Sequence, residues 1–559
     1  MLDMPGGVRR VVGSLVVACA ALSAAAQEIR TVVVVPDGTR LATDVYFPPA
    51  AGSGPWPVVL QRTPYGKDGL YEVCRLFGLW GYACVAQDVR GTGASTGTDT
   101  VFRDDGPDGR FTLDWVTAQW WSNDRVATFG ASALGITEYA LAPGASSALK
   151  CQIPVVATPD FYHHAAYQGG ALREALVYNW LSGQDNLAFY QQIRAHRLYD
   201  AWWQEVAILP AAPTVNAPGL HVGGWYDIFL QGTLDAFTTY QHAGGPGAVG
   251  RQKLVIGPWT HTGTAQLEQG ELTYPANAAL DVFTLFRDWL DHWLKGTKPA
   301  VASWPAVRVY VMGAVGESGA PGNTWVDLDD WPPATGTELL YLTPAGSLVD
   351  SPTIGGQMTL TSNPADPVPT LGGNELFADL VVNGRPMGAG PYDQREIEAR
   401  ADVVEFTSSY LLEPVTVMGR VEVHLWVRPD TPDLDLAVRL VDVYPDGRAM
   451  LVTDSIQRAR KRCGDDRECF LQLNQPTEIV VELQATAIAF NVMHRIRIDV
   501  SGSNAPRFEV NPNDGGDLNL PTAGVVAHPV LLFGSTRPSR VELPVVGAPR
   551  APRRHLGHR

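Results

Sequence analysis

The strongest constraint on the fold is a change of rhythm along the chain. Up to about residue 300, short continuous apolar runs alternate with stretches of helical spacing; beyond that, short alternating segments take over. The first rhythm begins with Thr31-Val-Val-Val-Val35, Pro36-Asp37-Gly38 and Thr39-Arg-Leu-Ala-Thr-Asp-Val-Tyr46, which reads as strand, tight turn and strand. It continues with strands over Pro57–Leu60 and Tyr82–Ala86, a helix around Leu70–Trp80, a helix over Leu113–Gln119, a strand over Val126–Phe129 and a helix over Leu134–Ala142. Runs this short and this apolar are what strands buried on both faces require, and their alternation with helices predicts a doubly wound α/β sheet. Gln152–Ala157, Leu220–Gly223 and Lys253–Ile256 resume the strands, and an amphipathic helix is expected over Ala278–Leu294.

Between Asp160 and Pro218 the pattern is rich in Trp, Tyr and Leu at helical spacing, as in Leu176-Val-Tyr-Asn-Trp-Leu181 and Ala201-Trp-Trp203, and reads as an inserted helical cap over about 160–218. From about Val307, segments such as Val421-Glu-Val-His-Leu-Trp-Val427 and Leu434-Asp-Leu-Ala-Val-Arg-Leu-Val441 are separated by turns such as Tyr444-Pro-Asp-Gly447, the signature of a β-sandwich, here expected to be a jelly roll. The expected units are a leader over 1–26, an α/β unit over 27–300, an all-β unit over 301–546 and a basic tail over 547–559.

In the leader, Arg9 and Arg10 precede an apolar run from Val11 to Leu22 and the small residues Ala24, Ala25 and Ala26, the order of an export signal. Val16-Val-Ala-Cys19 also fits a lipobox that would leave a lipidated Cys19, and the paired arginines are compatible with twin-arginine export. The leader run is shorter than the roughly 20 apolar residues a spanning helix needs. A net charge of −16 argues against nucleic acid as a partner, since phosphate binding calls for a basic patch. None of the six cysteines has zinc-ligand spacing, so no structural metal is expected. Export would permit disulfides: Cys463 and Cys469 enclose a polar loop suited to one, and Cys74 with Cys84 is a further candidate pair, with buried free thiols an equal alternative for those two and for Cys151.

Chemistry is carried by Gly130-Ala-Ser132-Ala-Leu-Gly135, where a strand runs into a helix through a serine among small residues. A serine nucleophile needs a sharp, strained turn there, with little side chain nearby to collide. It also needs a base and an orienting carboxylate, each at a later strand end. Asp227 follows the strand Leu220–Gly223 and His261 follows Lys253–Ile256; Asp235 is the alternative carboxylate, placed inside the next helix. The charge that develops on an acyl oxygen calls for two donors, for which the Ala133 amide and the Tyr65 hydroxyl are candidates.

Together, Arg62-Thr-Pro-Tyr65, Asp88-Val-Arg-Gly91-Thr-Gly93-Ala-Ser95-Thr-Gly97, Asp114-Trp115 with Trp121-Ser-Asn123, the Ser132 turn, Gly224-Trp-Tyr-Asp227 and Gly257-Pro-Trp-Thr-His261 resemble the family of α/β-hydrolase serine hydrolases that includes cocaine esterase, α-amino-acid ester hydrolases, glutaryl-cephalosporin acylases and X-Pro dipeptidyl peptidases. Arg495-Ile-Arg-Ile-Asp499, Pro506-Arg-Phe508 and Asn511-Pro512 are similar to that family's C-terminal jelly roll, so the resemblance spans nearly the whole mature chain.

The resemblance implies an ester or amide hydrolase with Ser132 as nucleophile, His261 as base, Asp227 as orienting carboxylate, and Tyr65 with the Ala133 amide as oxyanion hole, working without a cofactor on a small molecule. Xaa-Pro dipeptidyl-peptidase activity, or a non-catalytic surface-binding protein, are the alternatives. The oligomeric state stays open, a homodimer included. Two departures bear on specificity. Ala133 stands where relatives usually have tyrosine. Phe229 and Leu230 occupy the positions where α-amino-acid ester hydrolases carry acidic residues for a substrate ammonium, so poor activity on α-amino esters is expected.

Overall fold

The structure is a computed structural model that describes residues 28–49, 52–520 and 522–547. The leader with Cys19, and the tail from residue 548 onward, lie outside the described residues. Among those described, no helix is long and apolar enough to cross a membrane.

The first unit is built on strands β1 (Glu28–Val34), β2 (Arg40–Tyr46), β3 (Trp56–Thr63), β4 (Ala83–Asp88), β5 (Ser122–Ala131), β6 (Leu149–Val155), β7 (Leu220–Tyr226), β8 (Lys253–Thr260), β9 (Val307–Gly313) and β10 (Thr324–Leu328). Its helices are α1 (Tyr71–Leu79), α2 (Asp105–Thr117), α3 (Ala133–Leu141), α4 (Glu174–Gly183), α5 (Leu187–Ala195), α6 (Ala201–Gln204), α7 (Leu230–Ala243) and α8 (Val282–Leu290). Pairing gives the order β1-β2-β4-β3-β5-β6-β7-β8-β9-β10, parallel from β4 to β9 and antiparallel at both ends. Successive residues of a strand face opposite sides. Thus Val58, Leu60 and Val126 pack with Leu113 and Leu141 on one face, while Val59, Ala127 and Phe129 pack with Phe77 and Phe286 on the other.

Three boundaries differ from the sequence expectation, each for a local reason. Helix α2 starts at Asp105 rather than Leu113, because Pro107 is tolerated in a first turn and two glycines allow close packing. A Cβ on Gly106 would lie 2.9 Å from the Ala140 carbonyl oxygen, and one on Gly109 would lie 2.9 Å from Leu141. Helix α8 starts at Val282 rather than Ala278, since the Asp281 carboxylate caps it by accepting from the Thr284 N–H at 3.1 Å. Strand β9, which the change of rhythm places with the all-β segment, pairs in parallel with β8, Leu254 opposite Val307, and so belongs to the first sheet. Its last residues, Met312 and Gly313, then pair with Ile488 and Ala489, so one strand joins both units.

The cap helices α4, α5 and α6 form a separate apolar cluster with Ala133, Ile136 and Phe229, which brings them down over the strand ends. The second unit is a β-sandwich. One layer pairs Val403–Ser408, Arg495–Ser501, Asp435–Val443 and Ala449–Arg458; the other is centred on Glu422–Arg428, paired with Thr477–Glu482, Val530–Phe533 and Arg540–Val545. Val438, Leu440, Ile496, Leu425 and Val541 meet in one core between them. Disulfides join Cys74 to Cys84, linking α1 to β4, and Cys463 to Cys469; Cys151 is free and buried.

Candidate active site

The serine sits where β5 turns into α3, with φ 59° and ψ −124°, a conformation that costs a non-glycine residue energy and persists only when its surroundings enforce it. The enforcement comes from two glycines. A Cβ on Gly130 would come within 2.5 Å of Leu134, and one on Gly135 within 2.6 Å of the Ala157 Cβ. The side chain of Leu134 is buried in the core beneath the sheet, so the small residue this turn needs is supplied three positions after the serine rather than two. The Ser132 N–H donates to the Val155 carbonyl at 2.9 Å, tying the turn to β6.

Asp227 follows β7 directly and His261 follows β8 directly. The two strands approach so closely that a Cβ on Gly224 would lie 2.1 Å from the Trp259 carbonyl oxygen, which makes glycine obligatory beside the carboxylate. His261 Nε2 lies 2.9 Å from Ser132 Oγ, and His261 Nδ1 lies 2.6 Å from Asp227 Oδ1. Both His261 and Asp227 are buried, at 1 % and 0 % exposure, so water competes little for these bonds. Phe229 stacks edge-on against the imidazole with centroids 5.6 Å apart. The other carboxylate considered, Asp235, lies in α7 and accepts from His164 Nε2 at 3.0 Å, away from His261.

Tyr65 lies in the loop after β3. That loop is held by the Lys67 N–H donating to Asp88 at 2.5 Å, by the Lys67 ammonium on Asp44 at 2.7 Å, and by the Tyr65 N–H donating to Thr63 Oγ1 at 3.0 Å. The Tyr65 hydroxyl accepts from Trp180 Nε1 of the cap at 2.8 Å, which leaves its own O–H to donate elsewhere. Burial pushes its pKa up to about 12, keeping it a neutral donor. Ala133 is the first residue of α3, so its N–H has no partner within the helix.

A cavity with a free volume of about 80 Å³ opens above Ser132 and Ala133, walled by Phe102, Ile136, Phe161, Trp180, Phe229 and Leu376. Sequence reasoning missed two contributors, both from the β-sandwich. Leu376 closes one wall, and the Asn374 side-chain amide donates to the backbone carbonyls of Asp227 at 2.7 Å and Trp225 at 3.2 Å. The signal available was the pair Gly372-Gly373, both at positive φ, which marks a tight turn without saying what the turn meets.

Comparison with known proteins agrees with this architecture. The pattern of the X-Pro dipeptidyl-peptidase (S15 family) matches residues 37–188 and 181–263, and that of the X-Pro dipeptidyl-peptidase C-terminal non-catalytic domain matches residues 299–542. The chain belongs to the X-Pro dipeptidyl-peptidase (S15) family. Within it, cocaine esterase of Rhodococcus sp. (strain MB1 Bresler) is 32% identical over 582 residues, covering 91% of this chain and 97% of that one. Two solved structures share the fold over 95% of this chain and 99% of their own: an aminopeptidase from a marine sediment Thaumarchaeota archaeon (TM-score 0.81, 23% identity) and an α-amino-acid ester hydrolase (TM-score 0.80, 24% identity). The family assignment makes this chain a serine hydrolase.

Proposed function

We propose that Ser132, His261 and Asp227 form the catalytic triad of an esterase or acylase acting on substrates with an apolar acyl group. The observation that carries this reading is the continuous hydrogen-bonded chain from Ser132 Oγ through the imidazole to Asp227. His261 Nε2 takes the serine proton as Oγ attacks the acyl carbon, and Asp227 holds Nδ1–H and stabilises the imidazolium. Tyr65 and the Ala133 amide donate to the oxyanion. Collapse of the tetrahedral intermediate breaks the bond to the leaving group, which receives the proton from Nε2. Water then repeats the sequence on the acyl-enzyme: it gives a proton to Nε2, attacks the acyl carbon and releases the acid and Ser132. The residues need no metal or organic cofactor for these steps, because imidazole moves the proton and the donors carry the charge.

Among the described residues, the walls around Ser132 offer aromatic and aliphatic surface and no carboxylate, and the one charged group, Arg103, is taken up by Glu205 and the Trp202 carbonyl, which supports an uncharged acyl group over a peptide N-terminus. Dipeptidyl-peptidase activity remains the second reading, favoured by the family to which the chain belongs. We also propose that the leader directs export. A fluorophosphonate probe tests the triad, since it reacts only with an activated serine: the protein is expected to be labelled stoichiometrically and the Ser132→Ala variant not at all. Labelling that survives in the variant overturns the assignment.

A further inference from the structure

The strand Glu422–Arg428, at the centre of one sandwich layer, turns Val423, Leu425 and Val427 into the core, so Glu422 and His424 stand on its outer face. On that face Glu422 has a glutamate directly opposite on either side: Glu482 on the strand Thr477–Glu482 and Glu542 on the strand Arg540–Val545. Like charges directly opposite one another destabilise a sheet. Arg420 relieves Glu482 at 2.9 Å, and Arg540 relieves Glu542 at 2.7 Å. Glu422 has no such partner, and among the described residues its one ion-pair contact is His424. The face borders a cavity of about 390 Å³ between the cap and the β-sandwich, walled by Glu478 and by His163 and His164 of the turn Tyr162–Ala166.

His424 is held as a metal ligand is held. Its Nδ1–H donates to Glu478 Oε1 at 3.2 Å, an oxygen that Arg540 also approaches, at 3.3 Å. A carboxylate on one ring nitrogen fixes the ring and its tautomer, and leaves the lone pair on the other nitrogen. That other nitrogen, Nε2, is buried and makes no hydrogen bond among the described residues, although Glu542 Oε1 lies 3.3 Å from it and Glu422 Oε2 3.5 Å. Such separations are those of neighbouring ligands on one ion, because bonds of about 2.0–2.1 Å at tetrahedral angles set the ligand atoms about 3.4 Å apart. One ligand atom from each of the three side chains lies within 4.8 Å of the other two. Arg540 does not exhaust Glu542, since an ionised carboxylate accepts at about four positions. The Glu422 side chain is 46 % exposed, which gives an entry path and leaves a fourth ligand position to water.

We propose that Glu422, His424 and Glu542 bind a divalent transition-metal ion that pins two adjacent strands of the sandwich, with Glu478 as the positioning carboxylate behind the imidazole. The site uses no cysteine, so cysteine spacing does not bear on it, and it is separate from Ser132.

Zn²⁺ is the probe, in isothermal titration calorimetry of the full-length protein freed of metal by chelation, with Ca²⁺ as the counterpart that favours oxygen ligands alone. The proposal expects a site for one Zn²⁺ per chain with Kd of about 1 μM or tighter, and Ca²⁺ at least about tenfold weaker. His424→Gln should weaken Zn²⁺ at least about a hundredfold, Glu422→Gln about tenfold, and Glu478→Gln, which removes no ligand, about 10–100-fold. Zn²⁺ should raise the Tm of the wild type and leave that of His424→Gln where it was. Glu422→Gln relieves like-charge repulsion on an exposed face, so without metal it should melt no lower than the wild type, which secures a folded variant for the comparison. No heat with Zn²⁺ at about 100 μM, Ca²⁺ bound as tightly as Zn²⁺, or unchanged Zn²⁺ affinity in a folded Glu422→Gln or His424→Gln each overturns it.

Discussion

The two cavities that flank Tyr162–Ala166 are lined in part by consecutive residues of one segment, yet they are chemically opposite. Toward Ser132 the segment offers Phe161, Ala165 and Ala166 to a cavity of about 80 Å³; toward the β-sandwich it offers His163 and His164 to one of about 390 Å³. The small, mostly apolar space would let the proposed triad work in a low dielectric, where oriented donors count for more than in water. The larger space holds the cap to the β-sandwich through ion pairs and bonds such as the Tyr199 N–H to the Asp465 carbonyl at 2.9 Å. One turn thus divides rate from attachment. Changes on the apolar side should alter catalysis and leave cap docking alone, and changes on the polar side should do the reverse.

The largest effect is expected at Tyr65. Tyr65→Phe removes one proposed oxyanion donor and the acceptor for Trp180 while keeping the ring, so kcat should fall by about 10²–10³ with little change in KM. A variant with unchanged kcat would place the second donor elsewhere and break the rate half of the comparison. A smaller effect tests the walls. Phenylacetate methyl ester should be hydrolysed with kcat/KM about ten times or more that of phenylglycine methyl ester, because Phe229 and Leu230 give its ammonium no partner. Equal rates would mean that a carboxylate outside the cavity reaches the substrate.

How much of this was legible in the sequence depended on whether a role is local or is met across the fold. The places of the Ser132 turn, Asp227 and His261 could be read because a strand end followed by a polar residue is a local pattern; the fold sets them 2.9 Å and 2.6 Å apart along the chain from Ser132 Oγ through the imidazole to Asp227, and their roles are the ones proposed above. The Asp88-Val-Arg-Gly91-Thr-Gly93 segment could be read as a motif, but its physical purpose appears only in contacts. Asp88 receives the N–H groups of Lys67 and Ala94, and Arg90 pairs with Asp108 at 2.7 Å. Asn374 and Leu376 were invisible, since nothing near them in the chain says that a sandwich loop reaches the end of β7. The alternation in Leu434–Val441 misleads in a different way: its polar residues suggest a solvated face, yet Asp435 and Arg439 are both buried, and Asp435 pairs with Arg458 at 2.9 Å. Period-2 patterning reports which residues face away from a sandwich core, not whether another layer covers them.

The smallest predicted effect tests the polar side alone. Burial disfavours charge on His163, but hydrogen bonds and attraction from Asp160 and Asp465 outweigh it and raise the pKa from 6.5 to about 10. A folded-state pKa above the unfolded value means that the imidazolium stabilises the native state fully below pH 6.5, and that this contribution fades as pH rises through about 10. His163 is partly exposed and solvent screens its pairs, so His163→Gln should lower Tm by only about 1–3 °C at pH 6, with the gap narrowing steadily and closing above pH 10. Hydrolysis of a neutral ester at pH 7 should be unchanged, since the imidazole faces away from Ser132. Differential scanning fluorimetry across pH, beside that assay, checks both: a Tm gap independent of pH would show that His163 acts by packing, and a fall in kcat would show that the turn transmits changes from one cavity to the other.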